Sequence, residues 1–183
     1  MKSKFFVCTA LAFYLTTVAI PLSVKAMPAT SSVEVAQAAA PMTETNIQAV
    51  LEQLKAARDN RDVEGMLELI APFAVTVVSV EANNGLSTMT TRLEGVDAHR
   101  QMLEQTFGQV ESRESLRNYV TIDIIDDDFS VAKIYQMENL ETAAGESWIA
   151  ASQTVLRLGR VDGRVLVTSA TVDGWISARS AQN

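Results

Sequence analysis

Ser147–Ile176 reads SWIAASQTVLRLGRVDGRVLVTSATVDGWI, and the two residues near its middle, Asp162-Gly163, decide the fold. They join two runs rich in Val, Leu, Ile and Thr. Asp-Gly between such runs is a strong hairpin signal, because the favoured two-residue turn needs positive φ at both central positions. With Val161 opposite Arg164, an uninterrupted register pairs Leu158 with Val167, Leu156 with Ser169, Thr154 with Thr171 and Ser152 with Asp173 on one face. The other face then carries Val155 against Ala170, Gln153 against Val172 and Ile149 against Ile176. The first face mixes apolar groups with hydroxyls and an acid, and the second is mostly apolar. Such a ribbon predicts a lined pocket on one side and a packed partner on the other.

Upstream, Phe129–Leu140 and Tyr119–Ile125 read as strands around an Asp126-Asp127-Asp128 turn, and Ala143-Ala144-Gly145 turns into the hairpin. Glu111–Glu114 reads as a charged loop. Glu94-Gly95 leads into a helix over Val96–Gly108 that carries Met102, Leu103 and Phe107. Phe73–Val80 and Leu86–Leu93 read as strands joined at Ala82-Asn83-Asn84-Gly85. Two helices come first. Thr45-Asn46-Ile47-Gln48 fits a capping box ahead of Ile47, Val50, Leu51 and Leu54. Asp59-Asn60-Arg61 breaks that helix, Asp62 caps a shorter one with Met66, Leu67 and Ile70 as its stripe, and Pro72 ends it. Helices segregated from a run of antiparallel strands give an α+β domain over residues 43–178.

Residues 1–26 have a basic start, an apolar run from Phe5 to Leu22 and small residues at Val24 and Ala26. This is the pattern of a secretory signal peptide cleaved after Ala26. An uncleaved anchor is one alternative, and cleavage at Ala36-Gln37-Ala38, far beyond the apolar run, is another. Met27–Met42 reads as a flexible linker and residues 179–183 as a tail. The expected product is exported, periplasmic or secreted, with no stable membrane insertion after cleavage. Cys8, the single cysteine, lies within the leader, so the domain relies on its core rather than on disulfides. With 15 basic against 22 acidic residues the chain carries a formal charge of −7, and losing Lys2, Lys4 and Lys25 makes it more acidic. That balance excludes nucleic acid and anionic membrane surfaces as expected partners.

Ile47–Leu54 with Asp62–Ile70 as paired first helices, Gly95-Val96-Asp97-Ala98 entering the third, and Thr154-Val155-Leu156-Arg157 with Asp162-Gly163-Arg164-Val165 at the end form an ordered pattern. From Thr43 to Ile176 it resembles the nuclear transport factor 2-like superfamily, which includes ketosteroid isomerases and SnoaL-like polyketide cyclases. The resemblance implies a cone-shaped, cystatin-like curved antiparallel sheet wrapped around three helices. It also implies a cavity at the open end and a homodimer through the outer sheet face. Where catalytic relatives place His facing the cavity, this chain has Ser169 and Thr171. Where they carry an acid after the second helix, it reads Ala71-Pro72-Phe73. Val165 stands where many have Trp, and the first helix has no Tyr.

Two residues carry candidate chemistry. His99, the only histidine, has the side chain best suited to proton transfer near neutrality, and its bland reading is a histidine at the rim of the core. Asp173 shares the predicted pocket face with Ser152, and its bland reading is a solvated strand-end acid. The predicted pocket comprises Trp148, Ser152, Thr154, Leu156, Ser169, Thr171, Asp173 and Trp175, and the predicted dimer face comprises Ile149, Ala151, Val155, Leu166, Ala170, Val172 and Ile176. Tyr119 and Tyr135 read, like the tryptophans, either as ligand-lining or as packing residues. Asp126–Asp128 lacks the alternation, Gly and terminal Glu of a calcium loop, and no Cys/His cluster or phosphate loop is present, so no cofactor or metal is expected. The leading expectation is a binding domain for a small apolar or amphipathic molecule, or a dimeric interaction module. The second is a SnoaL-like isomerase, cyclase or hydrolyase using His99 and Asp173.

Overall fold

The computed structural model describes residues 41–82 and 87–179. The expected signal peptide, nearly all of the linker, the Asn83-Asn84-Gly85 turn and the last four residues lie outside them. The order is α1 (Glu44–Asp59), α2 (Val63–Leu67), β1 (Ile70–Ala82), β2 (Ser87–Glu94), α3 (Gly95–Gln109), β3 (Val110–Ile124), β4 (Phe129–Thr142), β5 (Ser147–Val161) and β6 (Arg164–Ala178). The strands form one sheet in the order β2-β1-β6-β5-β4-β3. The sheet is mixed rather than wholly antiparallel, because β1 and β6 run parallel.

The first helix starts two residues before the predicted capping box. Thr43 is the cap, its Oγ1 accepting from Asn46 N at 3.2 Å. Pro41 and Met42, read as the end of the linker, belong to the folded body: Met42 is buried and its Sδ accepts from Ser130 Oγ at 3.5 Å. Ile47, Val50, Leu51 and Leu54 face the core as their spacing predicts. The helix ends in a Schellman arrangement, with Asp62 N bonding Ala57 O at 2.8 Å and Arg61 N bonding Arg58 O at 3.0 Å. Arg61 takes the left-handed position, φ 56°, usually left to glycine. Asp62 caps α2 through Gly65 N at 2.9 Å. Glu64 on α2 and Arg100 on α3 pair bidentately and tie the two helices together.

Side chains form rows across the sheet. One row runs Leu93, Thr76, Ala170, Leu156, Ala132 and Ile122. Its first five members are buried, and Thr76 bonds His99 of α3, which marks this as the helix side. The predicted loop Glu111–Glu114 is instead the start of β3. An edge strand tolerates charges because one flank meets water, so its polarity hid it.

The final hairpin turns where predicted, with Asp162 at φ 50° and Gly163 at φ 77°. Val161 pairs with Arg164 and Leu158 with Val167. Beyond them a bulge intervenes. Thr168 is left unpaired, its Oγ1 donating to Arg157 O at 3.1 Å, and Gly159 leaves room for its methyl, since a Cβ there would lie 3.0 Å from Thr168 Cγ2. One extra residue exchanges the faces of everything after it. Leu156 therefore faces Ala170, Thr154 faces Val172, Gln153 faces Asp173 and Ala150 faces Ile176. The predicted pairs Leu156–Ser169, Thr154–Thr171, Ser152–Asp173, Val155–Ala170, Gln153–Val172 and Ile149–Ile176 do not form.

Candidate functional site

The bulge redistributes the residues grouped by the sequence. Trp148, Ser152, Thr154 and Leu156 point to the helix side, whereas Ser169, Thr171, Asp173 and Trp175 point to the outer face. Ile149, Ala151 and Val155 remain on the outer face. Ala170, Val172 and Ile176, expected beside them, are buried under the helices, and Leu166 is buried as well. His99 is fully buried, with Nε2 2.9 Å from Thr76 Oγ1 and Nδ1 2.6 Å from Gly95 O. It secures the start of α3 to β1. Asp173 is exposed on the opposite face, beside Ser79. The two do not converge on one ligand position.

The outer face holds a groove of about 910 Å³. Two rows build it. The first runs Arg117, Met137, Ala151, Trp175, Glu81 from β3 to β1, and the second Tyr119, Tyr135, Gln153, Asp173, Ser79. Thr88 of β2 continues the first row beside Glu81. Tyr119 is 63% and Tyr135 44% exposed, with ring centroids 6.4 Å apart. Large apolar surfaces left in water along a groove are the chemistry of a binding face.

A second region lies on the helix side, and sequence reading missed it. The strand period of β4 buries Ser130, Ala132, Ile134, Gln136, Glu138 and Leu140, so three polar residues, two of them the neighbouring Gln136 and Glu138, fall on the apolar phase. Following that alternation past Ile134 would have exposed the anomaly in the sequence. Glu138 is 1% exposed and lies between two guanidiniums, Arg58 Nη1 at 3.5 Å from Oε1 and Arg113 Nη1 at 3.8 Å from Oε2. Gln136 Nε2 donates to its Oε1. Burial pushes the Glu138 carboxyl above the usual glutamate range, against the pull of Arg58 and Arg113. Arg58 also holds Asp59, through Nε at 3.1 Å and Nη2 at 2.9 Å. Asp59 is lowered on balance: its burial raises it, and Lys55 and Arg58 outweigh that. Arg58 Nη1, Glu138 Oε2, Gln136 Oε1 and Thr154 Oγ1 are buried and make no hydrogen bond among the described residues. No group of three His, Cys, Asp or Glu side chains suited to a metal occurs among the described residues.

No protein-family model matches the sequence, and no curated protein matches it. Solved structures do. The hexachlorocyclohexane dehydrochlorinase LinA-type3 from Novosphingobium barchaimii superposes with a TM-score of 0.58 at 12% identity, over 76% of this chain and 91% of that one. A ketosteroid isomerase-like protein from Erwinia carotovora atroseptica gives 0.52 at 14% identity, over 74% and 95%. A nuclear transport factor 2-like protein of unknown function from Pseudomonas putida gives 0.53 at 15% identity, over 71% and 84%. The chain therefore has the nuclear transport factor 2-like α+β cone fold, which hosts both enzymes and proteins without an assigned activity.

Proposed function

We propose that this chain is an exported, non-catalytic binding domain that assembles as a homodimer through the outer face of its sheet. The observation that carries the reading is the order of side chains in the groove. In the row Arg117, Met137, Ala151, Trp175, Glu81, the charges at the ends are opposite and the centre is small. A two-fold axis lying along β5 reverses the row, so that Arg117 of one copy meets Glu81 of the other, Met137 meets Trp175 and Ala151 meets Ala151. The second row reverses in the same way: Tyr135 meets Asp173, Tyr119 meets Ser79 and Gln153 meets Gln153. Each row spans four strand spacings, about 19 Å, enough for a hydrophobic centre with a charged rim. Of the residues that sequence patterning marked for dimerisation, Ile149, Ala151 and Val155 lie on this outer face, whereas Ala170, Val172 and Ile176 lie under the helices.

Sedimentation velocity at micromolar concentration, on wild type and Tyr135→Glu, tests this. Tyr135→Glu sets a second acid against Asp173 across the axis, so the expected outcome is a dimer for wild type and a monomer for the variant. A monomeric wild type overturns the homodimer. Native mass spectrometry of the same samples then shows whether a small apolar or amphipathic ligand occupies the groove instead.

A further inference from the structure

Three charged residues line the outer groove: Arg117 at one end of its first row, Glu81 at the other, and Asp173 in the second row. The two-fold axis proposed above sets Arg117 of each copy against Glu81 of the other and leaves Asp173 over. Its carboxylate makes no ion pair and no hydrogen bond among the described residues. Lys133 of the facing copy, which the axis brings opposite Thr171, is taken by its own Asp123 at 3.2 Å. What meets Asp173 is Tyr135 of the second copy, with Tyr119 beside it opposite Ser79. A tyrosine hydroxyl can donate a hydrogen bond to a carboxylate but does not cancel its charge. A carboxylate closed into an interface without a cation is costly. Each half of the dimer therefore lacks one positive charge.

The surroundings of Asp173 select the kind of cation. Tyr119 and Tyr135 have planes 47° apart, so they do not stack flat on each other and present two walls that meet at an angle. Trp175 stands two residues along β6 from Asp173, on the same outer face, and supplies a third wall from the opposite side. Facing sheets lie about 10 Å apart, and the short Asp173 and Ser79 opposite two long tyrosines leave room between them. Aromatic walls around one carboxylate suit an organic ammonium, whose spread charge is drawn to ring faces and whose methyl groups bury against them. A divalent metal ion needs about six oxygens, which one carboxylate does not supply. We propose that the dimer binds a quaternary ammonium group in a box made by Asp173 and Trp175 of one copy and Tyr119 and Tyr135 of the other. The inference rests on the homodimer, because neither copy holds the box alone. Binding is coupled to assembly: the cation answers the charge of Asp173 and so tightens the dimer.

The probe is tetramethylammonium chloride, compared with sodium chloride at the same concentration so that screening cancels. The dimer dissociation constant is measured in each salt by sedimentation over a dilution series of the full chain. It should fall about tenfold in tetramethylammonium. Asp173 is exposed on the outer face, so Asp173→Asn leaves the fold intact and removes the unanswered charge. That variant should dimerise more tightly than wild type in sodium chloride and lose its response to tetramethylammonium. A wild-type dimer equally tight in both salts, an Asp173→Asn dimer weaker than wild type in sodium chloride, or a variant that still responds to tetramethylammonium overturns the ammonium site and leaves the homodimer standing. A wild type that stays monomeric in both salts overturns the homodimer, and the site with it.

Discussion

Glu138 is placed where its charge is costly. Its carboxyl is raised above the ordinary glutamate value of 4.5 because burial outweighs Arg58 and Arg113. At a pH above that value the unfolded chain has released a proton that the folded chain still holds, so folding stability falls as pH rises from 4.5 through the folded value. Asp59 acts in the opposite sense: its lowered carboxyl stabilises the fold above 3.8, and that contribution fades as acid is added. The two windows do not overlap, so each can be followed by itself. Thermal melts between pH 4.5 and 8 should show Glu138→Gln melting higher than wild type at pH 8, by a few degrees, with the gap closing towards pH 4.5. A gap independent of pH would mean that Glu138 is ionised throughout. His99 shows the reverse case, a residue whose type invites a catalytic reading but whose ring nitrogens face Thr76 and Gly95 in a sealed site.

At the scale of elements, Thr168 controls the most. Periodicity, turn chemistry and capping residues made the element order legible, from the Asp62 cap to the Asp162-Gly163 turn, because each signal is local. The face assignment on β6 was not legible, because a bulge is a tertiary accommodation. Val165, Leu166 and Val167 are all buried at the strand's start, and an extra residue is what then lets Ala170, Val172 and Ile176 return to the helix side. Alternation read straight through that run sends the apolar set outward. Deleting Thr168 tests this, since it forces either the turn-proximal half or Ser169–Ala178 onto the wrong face. Turning Ala170, Val172 and Ile176 out and Thr171 and Asp173 in should cost about 5 kcal/mol or more, enough to abolish cooperative unfolding. Urea denaturation followed by tryptophan fluorescence measures it. A deletion variant with an unchanged midpoint would show that the hairpin pairs without the bulge.

At the scale of the whole molecule, one sheet serves two environments and is thin enough that a single substitution tells them apart. Ala151 and Ala170 are small residues on neighbouring strands, Ala151 in the middle of the outer groove and Ala170 under the helices beside Leu156 and Thr76. A glutamate at either site adds the same atoms and the same charge, so intrinsic strand propensity cancels between the variants. At position 170, 6% exposed, the carboxylate enters a packed core with no cation in the row and should destabilise the monomer by about 3 kcal/mol or more. At position 151 the groove is open in the monomer, so the fold should hold within about 1 kcal/mol. Across the two-fold axis of the proposed dimer, however, the new carboxylate would meet its own copy, and like charges buried together part a dimer. The expected pattern is a folded monomer for Ala151→Glu and an unfolded or aggregated chain for Ala170→Glu, read by circular dichroism and sedimentation on the same samples. A dimeric Ala151→Glu would move the partner off the groove, and a stable, folded Ala170→Glu would restore the uninterrupted register and place that residue outside.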